Sequence, residues 1–111
     1  MAVQQWSDRI WVARLVGGAA FADDLAYLHA HLPRQAVTPD VVLDLAGVDA
    51  ITSANLAQLL GVRRLLLQHD ARLRLTAPND AVWTLILTTG LDKVFTFAPD
   101  AATALAELQL N

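Results

Sequence analysis

The chain has 111 residues, 55% of them hydrophobic and 17% charged, with a formal net charge of −3. That length fits one domain with a real core, and the few scattered basic residues exclude the dense cationic surface that a nucleic-acid backbone requires. With no cysteine, disulfides and thiolate metal sites are excluded too, and a reducing compartment is the default.

In chain order, Ser7-Asp8 reads as a turn, and 10–16 (IWVARLV), rich in β-formers, as a strand closed by Gly17-Gly18. Residues 21–32 (FADDLAYLHAHL) are helical, since Phe21, Leu25, Leu28 and Leu32 recur at three and four, and Pro33 ends them. Asp23 and Asp24 are expected to open this helix and complement its dipole. A second strand, 41–45 (VVLDL), is a short apolar run interrupted by Asp44. A buried charge there needs a partner, so Asp44 either anchors the following loop or belongs to a functional pocket beside Ser53.

A helix is expected from Ser53 to about Gln68. Leu56, Leu59, Leu60, Leu66 and Leu67 form its apolar arc, and Arg63 falls inside that arc with its stem packed and its head escaping. His69 closes the helix, where positive charge is favourable. The alternation in 72–76 (RLRLT) predicts a strand with one wet face. Asn79 or Asp80 caps the next helix and Gly90 stops it. A short strand at 94–97 and a last helix capped by Pro99-Asp100 complete the order β-α-β-α-β-α-β-α. The expectation is one α/β domain, 1–111, with a small sheet covered mainly on one face by about four helices.

Enzyme signatures are missing. There is no phosphate-cradling glycine loop, no nucleophile elbow and no nucleophile–base pair, so no catalytic residue and no cofactor are expected. His29 and His31 stand two apart on a helix and cannot share a metal face; solvated or capping roles are expected for them. No run reaches the length of a membrane helix, and the start MAVQQWSDRIW lacks the pattern of a secretory leader.

The segment Thr52-Ser53-Ala54-Asn55 follows a strand and opens a helix. A hydroxyl there serves as an N-cap, but the same place favours an anion, so it also suits a phosphorylation switch. Ala54, Ala57, Gly61 and Leu65 project to one side of the helix, away from the leucine arc. Small residues on that side suit a docking partner, with Leu65 as an exposed apolar contact; the alternative is that another helix of the domain covers them.

The run VVLDLAGVDAITSANLAQLL, with RLRLTAPNDAVWTLILTTGLDKVF downstream, resembles the central and C-terminal motifs of STAS domains. The resemblance covers nearly the whole chain and implies a STAS fold with a mixed sheet of four to five strands. It implies a stand-alone bacterial anti-sigma factor antagonist, a monomer or weak dimer in the cytoplasm. Such a protein binds an anti-sigma factor that is also a GHKL-type serine kinase; phosphorylation breaks the complex, and a PP2C-type phosphatase restores it. Ser53 matches the phospho-acceptor, with Thr52 a second candidate, and Asp44 matches the acidic position of the preceding strand. The partner surface implied comprises Asp44, Thr52, Ser53, Ala54, Asn55, Ala57, Gln58, Gly61 and Leu65. The family pattern has Asp where this chain has Thr52 and a small Gly where it has Asn55. Those departures keep a second role in view, that of a non-phosphorylated scaffold subunit in a stressosome-like or lipid-transport assembly.

Overall fold

A computed structural model describes residues 3–110; residues 1, 2 and 111 of the expected domain lie outside it. Its elements are β1 (Val3–Gln5), β2 (Ile10–Val16), α1 (Ala19–His31), β3 (Asp40–Gly47), α2 (Ser53–Gln68), β4 (Leu73–Thr76), α3 (Asp80–Thr88), β5 (Phe97–Ala98) and α4 (Ala101–Gln109). They build a five-stranded mixed sheet in the order β1-β2-β3-β4-β5. Only β1 runs antiparallel to its neighbour; β2 through β5 are parallel. The sheet is thus that of a βα series, in which each crossover needs a helix.

Alternation along the strands separates two cores. Trp11, Ala13, Leu15, Val41, Leu43, Leu45, Leu73 and Leu75 pack with apolar residues of α1, α2 and α3. Ile10, Val12, Val42 and Ala98 face the other way, against Ala104 and Leu108 of α4. Three helices therefore cover one face, and the fourth lies on the opposite face.

Several expectations need correction. The polar strand β1, carrying Gln4 and Gln5, had no apolar signal and was not expected. The strand expected at 94–97 is reduced to Phe97–Ala98, because Leu91–Lys93 winds into a 3-10 turn after Gly90, a left-handed glycine with φ 76°. The face of β4 that carries Arg72 and Arg74 is only half wet. Arg72 donates to the Leu108 carbonyl (2.8 Å) and pairs with Asp40 (2.9 Å), while Arg74 pairs with Glu107 (3.3 Å). These bonds strap α4 to the sheet. Finally, α1 begins at Ala19 behind Gly18, so Asp23 and Asp24 fall in its second turn, too far in to complement the dipole. Asp24 is instead buried, 6% exposed.

Candidate functional site: the start of the second helix

The loop from β3 to α2 is fixed at each end by side chains. Asp44 Oδ1 accepts from the Ala46 amide (3.0 Å) and from the buried Thr76 hydroxyl (3.3 Å). These two bonds anchor the loop, one of the two roles open to Asp44. Asp44 shares its sheet face with Val42, on the α4 side, whereas α2 packs on the other. The carboxylate therefore shapes the loop from below. Val48, buried, pins the loop to the core, and Asn79 Nδ2 donates to the Asp49 carbonyl (3.0 Å). Asn79 also caps α3 by accepting from the Val82 amide (2.8 Å), so one side chain joins two loops at the same edge of the sheet. Its capping role is legible in the sequence; the second bond spans 30 residues and is not.

The cap of α2 is Thr52. Its Oγ1 accepts from the Asn55 amide (3.1 Å), and Asn55 Oδ1 accepts from the Thr52 amide (3.0 Å), a reciprocal capping box. Two amides that a helix start leaves unpaired are thereby satisfied. Asn55 Nδ2 goes on to donate to Gln58 Oε1 (3.3 Å), and Gln58 Nε2 to the Ala22 carbonyl of α1 (3.4 Å). The polar chain Thr52–Asn55–Gln58 so ties the start of α2 to α1.

Ser53 is the first residue of α2 and is exposed, as are Thr52 and Ala54. Because Thr52 supplies the cap, the Ser53 hydroxyl has no hydrogen-bond partner among the described residues. The hydroxyl points to no structural duty and sits beside the positive end of a 16-residue helix.

Along α2, Ala57, Gln58 and Gly61 line an open groove of about 470 Å³, with Leu25, Ala26 and His29 of α1 on the far wall. The expected small-residue side is therefore neither fully covered nor wholly free: α1 flanks it across a groove. Leu65 departs from expectation, being half-buried and packed against the main core. Leu67, placed in the buried arc from periodicity, is 55% exposed, and Val62 takes its place in the core. Arg63 lies in the arc as expected, half-buried: its Nε donates to the Val94 carbonyl at 3.1 Å, while its Nη groups reach solvent.

The histidines do other work. His31 Nδ1 donates to the Tyr27 carbonyl (2.9 Å), and its ring stacks on Tyr27 with centroids 3.9 Å apart. His69 is the C-cap residue of α2, with Nδ1 2.9 Å from the Leu65 carbonyl. Among the described residues, no group of three His, Asp or Glu side chains could hold a metal ion, and no helix is long and apolar enough to cross a membrane.

Residues 15–99 match the family model described as "Mlab, STAS domain". A comparison with curated proteins finds no match. Among solved structures, the anti-sigma factor antagonist SpoIIAA in its unphosphorylated form superposes with a TM-score of 0.83 at 20% identity, covering 98% of this chain and 96% of that one. The phosphorylated form of the Bacillus cell fate determinant SpoIIAA gives 0.74 at 19% identity, covering 96% of each chain. RsbS of Moorella thermoacetica gives 0.79 at 18% identity, covering 98% and 96%. At such identities the likeness to these structures is one of fold.

Proposed function

The chain belongs to the STAS domain family, and from that premise we propose that it is a non-enzymatic switch module of the anti-sigma-factor-antagonist kind. Its partner on this reading is an anti-sigma factor that is also a GHKL-type serine kinase. The partner docks on the exposed start of α2, around Thr52, Ser53, Ala54 and Asn55, and along Ala57, Gln58 and Gly61. Asp44 and Leu65 support that surface from within. The whole chain acts as one STAS domain, in the cytoplasm, as a monomer or weak dimer.

The observation that carries this reading is the uncommitted, exposed hydroxyl of Ser53 beside a helix start that Thr52 already caps. A phosphoryl group on Ser53 adds nearly two negative charges and three acceptor oxygens. The helix dipole favours such an anion, so the fold tolerates it. A partner seated on the same few residues meets new charge and bulk and is displaced. Transfer moves the γ-phosphoryl of ATP from the kinase to the Ser53 oxygen, with ADP leaving and the hydroxyl proton released. A PP2C-type phosphatase returns the serine by hydrolysis.

A second reading is favoured by one observation, the capping box itself: Thr52 and Asn55 occupy the places where the family pattern has Asp and Gly. On that reading the chain is a non-phosphorylated STAS subunit of a stressosome-like or lipid-transport assembly, and the same surface holds a permanent partner.

Incubation with the cognate GHKL-type kinase and Mg-ATP, followed by mass-spectrometric mapping, separates the two. One phosphate on Ser53 is expected. The Thr52 oxygen is engaged in the cap and is expected to stay unmodified. An unlabelled Ser53, with a transporter ATPase and no kinase recovered by pull-down, would leave the scaffold reading standing alone.

A further inference from the structure

The other end of α2 borders a half-open pocket of about 190 Å³, lined by Arg63, Leu66, Leu73, Arg74, Val94 and Phe95 among others. It exists because β5 pairs with β4 only through Leu75↔Phe97 and Thr76↔Ala98, so Leu73 and Arg74 have no strand beside them on that side. Two guanidinium groups are held at its wall. Arg63 Nε donates to the Val94 carbonyl (3.1 Å), and Arg74 Nη1 to the Leu73 carbonyl (3.2 Å); both carbonyls belong to lining residues. Arg72 also borders the cavity, but its guanidinium is committed to Asp40 and the Leu108 carbonyl.

The charges here do not cancel. Arg74 has Glu107 as counter-ion, whereas Arg63 has no carboxylate within ion-pair distance among the described residues. Its two Nη groups have no hydrogen-bond partner there either, and a guanidinium offers five N–H donors in a planar fork. A half-buried arginine fixed at Nε, with its terminal edge free, is pre-organised for an oxyanion that accepts several hydrogen bonds at once, and Arg74, itself engaged by Glu107 and the Leu73 carbonyl, lines the same pocket. Leu66, Phe95 and Val94 provide an apolar wall for what the anion carries.

We propose that this cavity binds a small phosphate-bearing anion, either inorganic phosphate or a phosphate monoester, at a site separate from Ser53. The test is an NMR titration of the whole chain with inorganic phosphate and, in parallel, with glycerol phosphate, ionic strength being held constant with sodium chloride. Saturable shifts of the Arg63 Nε–H and of the Val94, Phe95 and Thr96 amides are expected. Tighter binding of glycerol phosphate assigns the site to monoesters; equal binding assigns it to the phosphate group alone. Arg63→Gln is expected to weaken binding about tenfold or more, as loss of a charge-assisted bond does. Arg63→Lys retains part of the affinity, and Arg34→Gln, at an exposed arginine on another turn, retains all of it. Should Arg63→Gln fail to fold by circular dichroism, Arg74→Gln, at the other lining arginine, carries the same expectation. Shifts that do not saturate, shifts confined to 52–55, or unchanged affinity in a folded Arg63→Gln protein would overturn the proposal.

Discussion

Thr52 and Asn55 hold each other's backbone amides through their side chains, closing the first turn of α2 from both directions. These are also the two positions at which the chain departs from the STAS motif it resembles. The departures are therefore one structural unit: a threonine cap needs a residue at the third helical position that can reach back, and asparagine does so where glycine cannot. Removing one member, Thr52→Ala, is expected to lower stability by about 1 kcal/mol in urea denaturation. Asn55→Ala should cost a similar amount, and the double variant less than the sum, because the two reciprocal bonds order the same turn of backbone. Strict additivity would show that the box is not cooperative.

Periodicity placed Leu67 in the core beside Leu59, but the structure buries only Leu59. Leu59→Ala is expected to cost about 2–5 kcal/mol through transfer and cavity effects. Leu67→Ala should stay within about 0.5 kcal/mol, as for other exposed positions. Similar losses at both positions would contradict the observed rotation of α2.

Much of the architecture was readable because it rests on local chemistry. The span of α2, the caps at Asn79 and Asp100 and the left-handed Gly90 each follow from a residue type at an end position. What escaped depends on partners far along the chain. Strand β1 is polar and held by pairing with β2, and α4 is placed on the opposite face by Arg72 and Arg74. Leu67 lies outside the core for the same reason: an arc at 100° per residue cannot say where the neighbouring elements end. At the site, the sequence identified a hydroxyl-bearing helix start but not how duties divide, with Thr52 capping and Ser53 free. That division depends on which residue adopts the extended backbone of a cap.

Asp40 and Arg72 join the start of β3 to β4 and, through the Leu108 carbonyl, to α4. Asp40 also accepts from the Arg72 amide at 2.7 Å. Asp40→Ala leaves a half-buried arginine and an amide without their acceptor, and a loss of about 1–3 kcal/mol is expected. Amide exchange should accelerate first in α4, which depends on this arginine. Unchanged protection in α4 would show that the strap is dispensable.

The Asp100 carboxylate accepts from the Thr103 amide at 2.7 Å, and that bond holds its pKa below the ordinary value of 3.8. A depressed folded-state pKa means the contribution to stability is present above the unfolded value and disappears as pH falls through the folded one. The cap of α4 should therefore weaken only in strongly acidic solution, below about pH 4. Following the Thr103 amide shift against pH checks this: its midpoint is expected below 3.8. A midpoint above that value would contradict the capping geometry.

On the proposed reading, charge at Ser53, and not a change of fold, decides whether a partner can sit on the start of α2. The decisive measurement is the affinity of the cognate anti-sigma factor for the unmodified chain, for Ser53→Ala and for Ser53→Asp. Ser53→Ala is expected to bind like the unmodified chain, and Ser53→Asp about tenfold or more weakly while its amide spectrum changes only near α2. Equal affinities for all three proteins would contradict it.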